Sequence, residues 1–223
     1  MKKRTGFLIA GVFFAAFVLW TLLVSFVDVE AIGPRGSEVG FATVNGAVHR
    51  FVGVNMTLYT VTDWLGLVPI GVAFCFGVMG LLQWIKRRHF IRVDFDILTL
   101  GGFYLLVIGF YVTFEFVVIN RRPVLIEGYL EASYPSSTTV LVMCVMITME
   151  ALLRRRIKRK GVRLWASAII YAFVAFMVIG RLISGVHWLS DIVGGALFSI
   201  GAVVLYFTVN KTSRKFQNNI SKI

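Results

Sequence analysis

Cutting the chain wherever charge interrupts its apolar runs leaves six stretches, about 6–27, 65–85, 97–119, 137–153, 165–182 and 190–210. Each approaches the ~20 residues that an α-helix needs to cross roughly 30 Å of hydrocarbon. The pattern predicts an all-α fold, a polytopic membrane protein built as a bundle of six transmembrane helices. Met1-Lys2-Lys3-Arg4 before the first stretch has the layout of a signal peptide. The apolar run that follows exceeds the ~7–15 residues of a signal core and meets no small-residue cleavage site, so it is expected to remain as an anchor. Trp64 and Trp84 bracket the second stretch by about 30 Å of helix, the spacing of interfacial aromatic anchors. The longest loop, about 28–62, is rich in glycine and is expected to pack over the outer face, with interfacial helix around 41–52.

Charge then orients the bundle. Of 23 Lys and Arg, eighteen fall before the first span, in the 86–92 and 154–163 loops, and in the tail after Asn210. By the positive-inside rule these segments and both termini are cytoplasmic. Arg35, Arg50, Arg121, Arg122 and Arg181 are left on the opposite side. The chain is 58% hydrophobic and 15% charged, with a mean hydropathy of +0.82, where a soluble domain has roughly 45–50% apolar and about 25% charged residues. A water-soluble fold is thereby excluded. The net charge of +12 needs no nucleic-acid partner, because the basic loops serve to orient the spans. Cys75 and Cys144 lie in apolar runs and read as small buried hydrophobes. No internal repeat of the transporter kind is present, and Asp63 and Glu150 fall at span ends, where interfacial pairing accounts for them.

Candidate chemistry gathers in two outer-side stretches. One runs from Asn120-Arg121-Arg122-Pro123 to Tyr134-Pro135-Ser136-Ser137-Thr138-Thr139; the other is Gly180 to Asp191. His187 and Asp191, four apart at a helix entrance, are expected to share one face, so that the carboxylate accepts the imidazole N–H and leaves the other ring nitrogen as nucleophile or base. Arg181 can bring a guanidinium fork suited to phosphate or carboxylate. Pro135 followed by Ser136, Ser137, Thr138 and Thr139 reads as a helix N-terminus, where hydroxyls and unpaired N–H groups favour an anion. With Arg121 and Arg122 on the same side, the parts describe an anion pocket holding a nucleophile.

In these motifs the chain resembles the type 2 phosphatidic-acid phosphatase superfamily, whose signatures are KxxxxxxRP, PSGH and SRxxxxxHxxxD. Arg181, His187 and Asp191 match the third, with Gly180 in place of its serine; Pro135 and Ser136 match the second, with Thr138 in place of its histidine; Arg122 and Pro123 match the first, with Glu115 in place of its lysine. The resemblance spans roughly residues 57–210. Taken with the spans and their orientation, it divides the chain into an N-terminal helix and extracytoplasmic loop over 1–56, a phosphatase-like core over 57–210 and a basic cytoplasmic tail over 211–223. It further implies that His187 attacks phosphorus and becomes a phosphohistidine, that Asp191 orients it, and that Arg122, Arg181 and Ser136 hold the phosphate; Arg121, Ser137 and Thr138, on the same side of the membrane, are expected to join them in binding substrate. No metal or cofactor is implied. The expected partners are membrane lipids and a lipid phosphate substrate, met at the extracytoplasmic face of an integral, multi-pass membrane protein.

The departures sharpen the substrate. Threonine cannot protonate a departing alkoxide at neutral pH, and general-acid help is typically worth about 10²–10⁴ in rate. An alkoxide leaving group has a conjugate acid near water, about 15.7, whereas a diphosphate expels monophosphate, whose second pKa is near 6. The expectation is a polyprenyl diphosphate phosphatase of the undecaprenyl diphosphate type. The alternatives are hydrolysis of phosphatidic acid or another lipid monophosphate, with Glu127, Glu131 or His49 as substitute acid, and a catalytically silent lipid-phosphate-binding protein. Glu115 is expected to pair with Arg121 or Arg122.

Overall fold

The computed structural model describes the backbone of residues 3–220 and the side chains of residues 3–211. The basic tail over 211–223 therefore lies largely outside the described side chains. Eight α-helices carry the fold: α1 Lys3–Phe26, α2 Ala42–Val52, α3 Met56–Leu65, α4 Leu67–Arg87, α5 Phe95–Phe116, α6 Ser137–Arg156, α7 Lys160–Ile183 and α8 Leu189–Ile220. Among the described residues six spans are long and apolar enough to cross a membrane, with α3 and α4 together making the second, Met56–Arg87. Among the described residues, strand-like pairing consists of three isolated bridges. The expected all-α, six-span architecture is what the chain adopts.

The second span begins earlier than its apolar run suggests. Asn55 caps α3 by accepting from the Leu58 N–H at 2.9 Å, and Thr62 is fully buried on the inner face of that helix. Asp63, whose charge ended the apolar run, is paired with Arg181 at 3.5 Å. The helix therefore continues through a position that hydropathy alone reads as loop. Trp64 and Trp84 both stand exposed on the flank of this span, as anchors at two membrane interfaces require. Cys75 is exposed on this span, so the expectation that it is buried fails; Cys144 is buried as expected.

The bundle is organised around α6 and α8. α1 packs along α8, and both α6 and α5 also pack against α8. Phe17 of α1 lies within aromatic range of Phe110 and Phe114 of α5, Phe198 of α8 and Tyr134. Such offset and tilted ring contacts lock long helices that have no hydrophobic drive to associate in lipid. At one end Arg87 meets Asp94 at 2.9 Å and Arg155 meets Asp96 at 3.8 Å, so the two basic loops share a face. At the other end α2, the 117–136 segment and the 184–188 turn come together. Trp20 Nε1 of α1 donates to the Ser190 carbonyl at 3.0 Å, and the Thr21 and Tyr134 hydroxyls bond at 2.7 Å.

Candidate active site

Residues 120–133 form a short hairpin that brings the first and second motifs together. Arg121 bridges Ala132, Ile126 bridges Tyr129, and the chain reverses at Glu127-Gly128, both with positive φ (49° and 84°). Two left-handed central residues are the geometry of a tight hairpin turn, and glycine at the second takes it without strain. Because successive side chains of an extended segment point to opposite faces, adjacent arginines part ways. Arg122 is buried and lines a cavity of about 600 Å³. Arg121 is exposed, donates to the Leu130 carbonyl at 3.0 Å, and uses its own carbonyl to accept from Trp188 Nε1 at 2.7 Å. The structure thus does not bring the Arg121 guanidinium into the cavity.

The cavity lining mixes polar and apolar side chains, with Asp63, Tyr111 and Glu115 among the polar ones. His187, Arg122, Ser133, Ser137, Thr138 and Glu131 contribute polar groups, and Leu67, Ile70, Ile108, Phe110, Phe114 and Leu141 from α4, α5 and α6 contribute apolar surface. A volume of this size suits a headgroup with part of a hydrocarbon chain. Ser136 does not line it. Its hydroxyl caps α6, accepting from the Thr139 N–H at 3.4 Å and the Thr139 hydroxyl at 3.0 Å. Arg181 also stays outside the lining. It is 2% exposed, faces Asp63 and Thr62 at 3.5 Å, and lies over the Tyr59 ring at 5.0 Å. Its buried Nε has no hydrogen-bond partner.

His187 and Asp191 do face each other, yet not as a direct pair. The Nδ1 to Oδ2 separation is 3.6 Å, too long for a hydrogen bond. His187 lies in the turn before α8 rather than in the helix, so helical spacing does not govern the pair. Ser133 fills the gap: its hydroxyl lies 3.0 Å from His187 Nδ1 and makes a short hydrogen bond to Asp191 Oδ2. Asp191 also accepts from the Trp188 N–H at 2.9 Å and, on its other oxygen, from Asn120 Nδ2 at 3.4 Å. Ser133 and Asn120 were not legible as site residues, because both act across the fold, from the ends of a hairpin that hydropathy does not register.

The tautomer follows from counting hydrogens. Ser133 has one hydroxyl hydrogen, and it goes to the carboxylate, so Ser133 must accept from Nδ1–H. Arg122 Nη1, 3.5 Å from His187 Nε2, can only donate. Both accounts put the proton on Nδ1 and a lone pair on Nε2, next to the guanidinium. Burial holds the imidazole well below its ordinary range, and the charges of Arg122 and Arg181 push the same way. The ring is neutral at pH 7, as a nucleophile or base must be.

The remaining acids resolve by position. Glu131 pairs with Arg122 Nε at 2.9 Å, so Arg122 takes its partner from the opposite hairpin strand and not from Glu115. Glu115 lines the cavity beside Tyr111. Of the three loop groups considered as substitute acids, Glu131 alone lines the cavity. Glu127 sits at the hairpin turn, and His49 bonds to the Gly185 carbonyl at 3.1 Å behind the turn that carries His187. Glu150, 4% exposed, is bonded to Ser167 at 2.5 Å and paired with Arg154 at 3.6 Å.

Arg122, the 133–138 turn, Arg181 and His187 with Asp191 all fall inside the segment matched by the sequence profile of the PAP2 superfamily, residues 103–215. The chain belongs to the PAP2 superfamily. The fold agrees with that of a transmembrane PAP2-type phosphatidylglycerolphosphate phosphatase from Bacillus subtilis, at 18% identity and a TM-score of 0.52, over 92% of this chain and 96% of that one. Aquifex aeolicus LpxE overlaps 67% of this chain and 93% of its own at 19% identity, with a TM-score of 0.33. No curated protein sequence matches the chain significantly. The profile begins within α5, so α1 to α4, including the loop that carries α2, lie upstream of the segment that the profile matches.

Proposed function

We propose that the chain is a lipid phosphatase of the membrane, and that its preferred substrate is a polyprenyl diphosphate met at the extracytoplasmic face. The observation that carries this reading is the neutral His187 with Nε2 unprotonated, open to the cavity and beside Arg122. In the proposed reaction the Nε2 lone pair attacks the distal phosphorus. The bond from that phosphorus to the bridging oxygen breaks, and the electron pair leaves with the prenyl monophosphate. Water then displaces the phosphoryl group from His187, releasing inorganic phosphate and restoring the imidazole. Arg122 offsets charge on the phosphoryl oxygens, and the buried Arg181, with a free Nε donor, adds to the same field. Electrostatic positioning of this kind carries most phosphoryl-transfer catalysis.

Leaving-group chemistry supports the diphosphate. Ser137 and Thr138 line the cavity where the family's acid would act, and neither donates a proton readily at pH 7. The apolar part of the lining supports a hydrocarbon-chain substrate. One observation favours a second reading: Glu115 and Glu131 both line the cavity, and a proton delivered from either would permit a lipid monophosphate. A panel of undecaprenyl diphosphate, farnesyl diphosphate and dioleoyl phosphatidic acid, given to wild type and His187→Ala, separates the two. The expected result is His187-dependent phosphate release from the diphosphates well above that from phosphatidic acid. Equal rates would favour the monophosphate reading, and no His187-dependent release or phosphoenzyme would leave a silent lipid-phosphate binder.

A further inference from the structure

The loop upstream of the PAP2 match is fastened along the turn that carries His187. Its attachments run in antiparallel order. The Asn55 N–H donates to the Ser184 carbonyl at 3.0 Å. Gly185, at φ +69°, lies so near the Gly53 carbonyl that a Cβ there would sit 2.0 Å from the oxygen. The His49 ring lies 5.3 Å from that of Trp188. Asn45, 1% exposed, then meets Ser190 twice: its Oδ1 accepts from the Ser190 N–H at 3.1 Å, and its Nδ2 donates to the Ser190 hydroxyl at 2.9 Å.

These bonds complete the N-terminus of α8. Trp188 stands at the N-cap and has no side-chain oxygen with which to satisfy the first free N–H groups. Asp191, three residues on, bonds back to the Trp188 N–H, as the acidic member of a capping box does. The missing half of that box comes from Asn45, 145 residues away. The Ser190 hydroxyl accepts from both Asn45 and Asn120 Nδ2, the latter at 3.3 Å. With its lone pairs engaged, its one hydrogen is left for Asp191 Oδ1 at 3.5 Å. Asn45 thus fixes the backbone and the hydroxyl on which Asp191 rests, while lying outside the cavity lining.

We infer that Asn45 is a positioning residue for Asp191, and through Ser133 for His187, capping α8 from an element upstream of the segment that the family profile matches. This rests on the reading of His187 as nucleophile. In detergent-purified protein assayed with farnesyl diphosphate, Asn45→Ala should lower kcat roughly 10- to 100-fold, the scale of an ångström-sized misplacement, with KM within about twofold. In an Asp191→Asn background the same change should cost less than about twofold, since residues acting as a unit are non-additive. Should Asn45→Ala fail to fold, Ser190→Ala removes the hydroxyl partner and should show the same loss confined to kcat. An active wild type with unchanged kcat in these variants, or losses that multiply with Asp191→Asn, overturns the inference alone. A wild type lacking His187-dependent release overturns both it and the nucleophile reading.

Discussion

At position 187 the serine bridge replaces a contact that spacing alone suggested, and this makes Ser133 open to test. Without its hydroxyl, Nδ1 faces a carboxylate 3.6 Å away and the ring loses the bond that holds its tautomer. Ser133→Ala should lower kcat about 10- to 100-fold in a phosphate-release assay, and Ser133→Thr, which restores the hydroxyl, should recover most of it. A second consequence concerns pH. An unfolded histidine titrates near 6.5, and the folded His187 lies well below, through burial first and then Arg122 and Arg181. As pH falls below about 6.5 the unfolded chain takes up this proton first, so the stability that the neutral ring confers is present above that pH and is lost toward the folded value. With ¹³C-histidine labelling, the His187 resonance should therefore remain neutral at pH 6, and Arg122→Gln should move its midpoint upward. A wild-type midpoint at or above 6.5 would contradict the geometry. The leaving-group argument rests on Thr138, which lines the cavity. Thr138→His restores a general acid and should raise phosphatidic acid hydrolysis by about 10²-fold or more, leaving the diphosphate rate nearly unchanged.

Among elements, the N-terminus of α6 divides roles that a four-hydroxyl run leaves merged. Ser136 caps the helix, whereas Ser137 and Thr138 line the cavity. Ser136→Ala should therefore reduce stability by about 1 kcal/mol, seen as a lower midpoint in thermal unfolding, with KM unchanged. Ser137→Ala should raise KM and leave the midpoint alone. The spans themselves were legible in hydropathy because lipid demands an unbroken apolar run from each helix. Three features were not. α3 was hidden because Asp63 is neutralised by Arg181 from a distant helix. The hairpin was hidden because its pairing is only two bridges long, with Glu127-Gly128 as its one local signal. That hairpin sends Arg122 inward and Arg121 outward, a distinction that two adjacent arginines in a sequence do not carry. Asn45 was hidden because a cap supplied in trans leaves no pattern near the helix that it serves.

For the whole molecule, the arrangement of charge and the arrangement of chemistry are two ends of one bundle. The 86–92 and 154–163 loops share one end, tied together through α5 by the contacts of Arg87 and Arg155; His187, Arg122 and α2 occupy the other. A single orientation in the bilayer therefore decides which compartment supplies the substrate headgroup and receives the phosphate. Attraction to anionic lipid and the cost of translocating the basic loops favour placing them on the cytoplasmic side, and with that orientation we propose that the cavity opens outward. The prediction is specific to position. In a Cys75→Ser background, an impermeant thiol reagent applied to intact cells should modify Glu38→Cys, exposed on the loop before α2, and leave Lys158→Cys, exposed between α6 and α7, unmodified until the membrane is permeabilised. The reverse pattern would place the cavity in the cytoplasm. The nucleophile and its hydrogen bonds would stand unchanged, but the substrate would then have to be a lipid whose phosphate is presented from inside.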